Sequence, residues 1–318
     1  MLTVRQARRS LLVFFTALVA ATFVSIWLRR FIPWPTLPSV LFPMAMTTLL
    51  SYSPALASLI ARVSLRQGIK DISFRLRGEW VVQAMLLGWL WPVICGSLIY
   101  GLSWISGLTR FRWTSVGATY GSWGPENLVG ISIFGMTPPK AFAVRLVACL
   151  LFTFVACLQS FGEELGWRGY LLTRLLDAKI PVPVFCNGLV WGLWHIPYFL
   201  ILTSDRGLPE KRWVSLTFFV AGTVALAYLL CYLRLRSGSL WPAVLGHASG
   251  NVLFTWAFDG FTSADPFWKG ELYLLSAGLP LLVLFLLRRP WIVRYWPQIG
   301  TSITATPPSS QAESSPTY

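Results

Sequence analysis

Residues 183–200 read PVFCNGLVWGLWHIPYFL, eighteen residues without one Asp, Glu, Lys or Arg. An α-helix needs about 20 apolar residues to cross the hydrocarbon core of a bilayer. The stretch therefore reads as a membrane helix, extended to Leu202. It also holds His195, an ionisable side chain where insertion costs about 2.5–3.5 kcal/mol per charged group. One segment thus gives a fold class and a first functional residue.

Seven further stretches fit the same length rule: 11–28, 37–61, 80–105, 141–163, 214–233, 239–258 and 270–287. Together they predict an all-α, polytopic membrane helix bundle of about eight transmembrane helices. Pro54, Pro92, Pro197 and Pro242 fall within or beside these spans; neighbouring groups in a bundle can re-satisfy the carbonyls they free. Composition agrees. Of 318 residues, 55% are hydrophobic and only 12% charged, with a mean hydropathy of +0.61. A soluble chain of this length would leave too few charges for its surface. Seventeen Trp and 21 Phe fit aromatic belts at the two interfaces.

The net charge is +14. Because the cations lie in short runs between apolar spans, they read as topogenic charge near anionic headgroups, and nucleic acid is not an expected partner. With the N-terminus inside, sixteen of the 26 Lys and Arg fall on the inner side and nine on the outer. This predicts a multi-pass protein of the plasma (cell inner) membrane with both termini in the cytoplasm. Arg5, Arg8 and Arg9 precede an apolar run too long for a signal h-region, so that run reads as a retained first helix. Cys95, Cys149, Cys157, Cys186 and Cys231 all lie in apolar spans without a CxxC pair, and read as small hydrophobes.

Residues 1–300 are expected to form the bundle. Residues 106–140, rich in Gly, Pro and Trp, are expected to form an outer loop. Residues 301–318, TSITATPPSSQAESSPTY, are expected to be a disordered tail. There is no internal repeat of the kind that marks an inverted-repeat transporter.

The rare polar residues then carry the argument. Helix four ends FGEELGWRG, with Glu163, Glu164 and Arg168. Helix five carries Trp191 and His195. Helix seven carries His247 and Asn251 in GHASGN. The chain has two histidines, and both fall in predicted membrane helices. Glu164 and Arg168 are four apart, with Glu first, the favourable order for an ion pair on a helix face. Glu163 lies about 100° round the helix and can face a cavity. Trp191 and His195 share a face, so the indole is expected to pack on the imidazole. His247 and Asn251 share a face and can point to one place.

Peptide hydrolysis by water needs a base for the water proton and donors for the tetrahedral oxyanion. These residue types supply both. Alternatively, Glu163, His195 and His247 match a His₂Glu set for a divalent metal such as zinc with an open water position. The residues leave these two readings open; there is no HExxH.

The three motifs resemble the CPBP intramembrane proteases, which include type II CAAX prenyl endopeptidases, bacteriocin-processing enzymes and abortive-infection proteins. The pattern there is EExxxR, then an aromatic residue shortly before a His, then HxxxN or HxxxD. It is met here by GEELGWRG, WGLWH and GHASGN, within residues 141–260. Trp191 stands where Phe is commoner. The resemblance implies an intramembrane endopeptidase acting on a membrane-embedded or membrane-anchored peptide, prenylated or carrying a leader. In it Glu163 activates water with His195, His247 and Asn251 stabilise the oxyanion, and Glu164 and Arg168 support the arrangement. Two other functions fit the same residues: a proton-coupled transporter using them as a relay, and a non-catalytic membrane immunity or scaffold protein.

One expectation carries tension. Glu163 falls at the predicted inner end of helix four, while His195 lies about 12 residues, roughly 18 Å, into helix five. Contact requires helix four to extend or tilt, or helix five to start later. Gly166 and Gly169 are expected to permit close helix approach.

Overall fold

The computed structural model describes residues 2–31, 48–111, 131–133, 135–202, 209–263 and 266–286. Its elements are α1 (Val4–Phe31), α2 (Ser53–Ser64), α3 (Glu79–Ile105), β1 (Arg110–Phe111), α4 (Pro138–Gly166), α5 (Leu172–Asp177), α6 (Pro183–Trp194), α7 (Ile196–Leu202), α8 (Pro209–Ser237), α9 (Trp241–Val252), β2 (Thr262–Ser263) and α10 (Pro266–Leu286). A π-helical turn, Trp167–Leu171, joins α4 to α5. A second, Leu253–Phe258, follows α9.

The fold is an all-α membrane helix bundle. Each of the eight predicted spans is mainly helical where it is described, with breaks at Tyr52 and His195 and a helix that starts only at Trp241 in the seventh. Residues 37–47, residue 287 and the tail 301–318 lie outside the described residues, as does much of the predicted outer loop. Four helices are long and apolar enough to cross a membrane: Val4–Leu28, Glu79–Ile105, Pro138–Asp177 and Trp213–Ser237. On α4 the side chains Val147, Leu151, Phe154 and Leu158 form one exposed apolar stripe. Such a stripe suits lipid rather than water. Among the described residues the one departure from all-α is a two-stranded antiparallel ribbon that pairs Arg110 with Ser263 and Phe111 with Thr262.

The centre of the bundle is α9, packed on α3, α4 and α8. Its sequence WPAVLGHASGNV explains the position, because small residues let neighbouring backbones approach closely. A Cβ on Gly88 would meet the Pro242 carbonyl oxygen at 2.7 Å. Side chains then pin α9 to α3: Trp91 Nε1 donates to the Gly246 carbonyl at 2.9 Å, and Ser249 Oγ donates to the Trp89 carbonyl at 2.6 Å.

Residues 65–78 connect α2 to α3 and are stitched beneath the bundle. The Asp71 carboxylate accepts from Arg62 at 2.7 and 3.1 Å and from Arg174 Nη1 at 2.9 Å. Arg234 Nη2 donates to the Asp71 carbonyl at 2.8 Å. Burial alone would raise the Asp71 carboxyl. The Arg62 hydrogen bonds and the charges of Arg174 and Arg62 outweigh it and hold the group below its ordinary value. Arg62, Arg168, Arg174 and Arg234 are all buried. Arg62, Arg168 and Arg174 are interior ion partners and Arg234 is held on a backbone carbonyl, so none of the four is the headgroup-facing charge that its place between spans suggests. The inner-side excess of cations therefore rests on fewer residues.

Candidate active site

Helix four does extend. From Pro138 to Asp177 the chain is one helical run of 40 residues, so Glu163 lies inside a long rod rather than at its end. The π turn that follows Glu163 and Glu164 misaligns backbone carbonyls, as such turns do. Two buried side chains meet them. Asn187 Nδ2 donates to the Trp167 carbonyl at 3.0 Å, and Arg62 Nη2 donates to the Gly169 carbonyl at 3.1 Å.

Helix five ends at the site for a comparable reason. Pro197 has no N–H and cannot bond the carbonyl four residues back, so the helix breaks at His195. The His195 backbone N–H turns to the Gly192 carbonyl at 3.2 Å. This leaves the Trp191 carbonyl for the imidazole, with His195 Nδ1 at 2.9 Å. A carbonyl only accepts, so Nδ1 carries the proton and Nε2 of neutral His195 presents a lone pair.

The carboxylates divide as the helical spacing predicts. Glu164 Oε1 accepts from Arg168 Nη1 at 2.6 Å, both side chains fully buried. The same oxygen lies 2.9 Å from His247 Nδ1, which joins α4 to α9. Glu163 points elsewhere: its Oε2 accepts from Trp191 Nε1 at 2.8 Å and, at 3.4 Å, from Trp167 Nε1. The Arg168 guanidinium sits 4.2 Å over the Trp191 ring. His195 is within electrostatic reach of both Glu163 and His247.

So Glu163, Glu164, Arg168, His195 and His247 converge, from three helices far apart in sequence. Asn251 shares the helix with His247, but its side chain is exposed while His247 is buried. Asn251 is therefore not brought into the buried cluster. The expected packing of Trp191 against His195 is present as a tilted ring pair at 6.1 Å. Trp191 also meets His247 edge-on at 4.9 Å. His195 sits closer to Trp194 at 4.7 Å and Phe219 at 4.9 Å, both edge-on.

Among the described residues no group of three or more His, Cys, Asp and Glu side chains is arranged to hold a metal ion. The hydrogen bonds engage Glu163 Oε2, His247 Nδ1 and His195 Nδ1, as outer partners that orient an imidazole do, and leave Glu163 Oε1 and both Nε2 nitrogens for water or another ligand.

Three residues around the site escape a search for ionisable groups. Asn187 is fully buried and holds the π turn; it is an amide in an apolar run, and the rule that flagged the histidines extends to it. Trp167 and Tyr273 carry no signal, since aromatic residues are everywhere in this chain. Tyr273 stacks on Phe219 at 5.9 Å and so backs the wall behind His195.

This segment of the chain also matches known proteins. Residues 145–253 match the family model of the type II CAAX prenyl endopeptidase Rce1-like proteins. The match begins within α4, ends just past α9, and contains every residue of the cluster. A CAAX prenyl protease 2 from Methanococcus maripaludis is 30% identical over 94 residues, which is 29% of this chain. The match spans about a third of that relative, 34% of its length. The motif resemblance to CPBP proteases and the Rce1-like match thus fall on the same helices. Helices α1 to α3 and α10 lie outside the matched residues and pack around them.

Proposed function

We propose that the chain is an intramembrane endopeptidase that uses the Glu163–His195–His247 cluster to hydrolyse a peptide bond of a membrane-associated substrate. The observation that carries the reading is the double use of adjacent carboxylates. Glu164 is spent on Arg168 and His247, while Glu163 is held by indole donors at one oxygen only. The first is a fixed counter-charge. The second has the other oxygen for water.

In this reading water attacks the scissile carbonyl carbon and gives its proton to Glu163. The carbonyl oxygen becomes an oxyanion, met by His247 Nε2–H and by Asn251. His247 donates there only as imidazolium, because Nδ1–H is committed to Glu164. The Glu164 carboxylate balances that charge. His195 Nε2 shares the proton with Glu163 and passes it to the leaving nitrogen; the C–N bond breaks, releasing a carboxylate and an amine. No step is assigned to a metal. The names of the matched family and of the archaeal relative favour a substrate ending in a prenylated CAAX sequence. The same names make protease the stronger reading than transporter or scaffold.

The test is release of the C-terminal tripeptide from a farnesylated CAAX peptide by purified protein, with and without chelator. Release that persists with chelator supports the reading. Absence of release, with proton-coupled uptake in proteoliposomes, overturns it.

A further inference from the structure

Trp191 contacts four members of the cluster, each through a different part of itself. Its Nε1–H donates to Glu163 at 2.8 Å, its ring face lies 4.2 Å from the Arg168 guanidinium, its edge meets His247 at 4.9 Å, and its carbonyl holds His195 Nδ1 at 2.9 Å. It is itself buried. We infer that Trp191 is a positioning residue whose indole N–H sets the Glu163 carboxylate for the reaction. This rests on the hydrolytic reading proposed above.

The chemistry is specific to an indole. The Trp Nε1–H donates and never accepts, so it can partner only an oxygen lone pair of Glu163. A donor on a carboxylate forms the stronger, charge-assisted kind of hydrogen bond. Holding Oε2 also removes the side-chain freedom that Glu would otherwise keep, and reacting groups must be held within roughly 0.5 Å of the productive geometry. The 3.4 Å contact from Trp167 is a weaker second support on the same oxygen. Phe at 191 would keep a ring and lose this donor. The hydrogen bond and the packing are therefore separable by one substitution.

The test uses full-length protein in phospholipid nanodiscs with a fluorogenic farnesylated CAAX peptide as probe. Trp191→Phe should lower kcat on the order of 10- to 100-fold, the loss of one hydrogen bond to a charged group. KM should stay within about twofold, because the substrate does not use that bond. A kcat within about twofold of wild type overturns the inference. A second arm is independent of turnover. In ¹⁵N-Trp-labelled protein the Trp191 indole resonance, identified by its loss in Trp191→Phe, should shift by several line widths in Glu163→Ala. An unmoved resonance overturns the inference even if Trp191→Phe is slow, since that variant would then be acting through packing. If wild type leaves this probe uncleaved, the proposed reaction fails on it, and the resonance alone decides the role of Trp191.

Discussion

His247 Nδ1 lies 2.9 Å from Glu164 Oε1, the oxygen that also takes Arg168 at 2.6 Å. One carboxylate oxygen thereby orients the imidazole of α9 and neutralises the guanidinium of the π turn. Such an orienting partner fixes which ring nitrogen is left for chemistry. The relationship also ties stability to the site, because the fully buried Arg168 guanidinium has no water to fall back on.

Glu164→Gln should therefore cost both fold and activity. It leaves Arg168, fully buried, without its counter-charge. Breaking a buried pair from one side costs about 3–5 kcal/mol. Thermal unfolding in detergent should fall by many degrees, and peptide release should drop with it. An unchanged unfolding transition would contradict the assigned pairing.

Two glycines at the π turn, Gly166 just before it and Gly169 within it, should behave differently. A Cβ on Gly166 would collide with Pro54, including its carbonyl carbon at 2.6 Å, whereas a Cβ on Gly169 meets nothing nearer than 3.5 Å. Gly166→Ala should destabilise by about 1–3 kcal/mol, as overpacking does. Gly169→Ala should be near neutral, within about 0.5 kcal/mol, since open positions usually are. Paired unfolding curves check this.

The Asp71 clasp predicts a pH effect on stability. The folded carboxyl titrates lower than in the unfolded chain, so its contribution is fully present above the unfolded value, about 3.9. It is lost as pH falls from there through the folded value. Asp71→Asn should remove that acid-side dependence and cost about 3 kcal/mol or less, as its side chain is 24% exposed. Unfolding midpoints measured between neutral pH and pH 3 test it. A variant with the wild-type pH dependence would contradict it.

How much of this was legible follows from what each feature depends on. The spans follow from length and apolarity, which are local properties. The Glu164–Arg168 pair follows from helical spacing, also local. The depth of Glu163 was not legible, because the π turn that carries α4 on to α5 is held by Asn187 and Arg62 from other helices. Trp191 was legible as an aromatic partner but not as a hydrogen-bond donor to Glu163, since that contact spans 28 residues. Gly169 was misjudged for the same reason: a glycine shows that a close approach is possible, and only tertiary packing shows whether anything approaches. Arg62, Arg174 and Arg234 lie between spans in the sequence, and nothing local reveals that Asp71 draws them inside.

Chelation should leave peptide release unchanged. The described donors form no three-residue ligand cluster, and the proposed steps need only Glu163, His195 and His247. Loss of activity with chelator, restored by added zinc, would contradict the mechanism while leaving the protease assignment in place.

The central claim is that Glu163 activates water for peptide hydrolysis. The most direct measurement compares wild type with Glu163→Gln, at equal folded concentration, by mass-spectrometric detection of the tripeptide released from a farnesylated CAAX peptide. The account predicts release by wild type and a loss on the order of 10²- to 10⁴-fold in Glu163→Gln, the usual scale of general-base catalysis. Equal release by both proteins would contradict it.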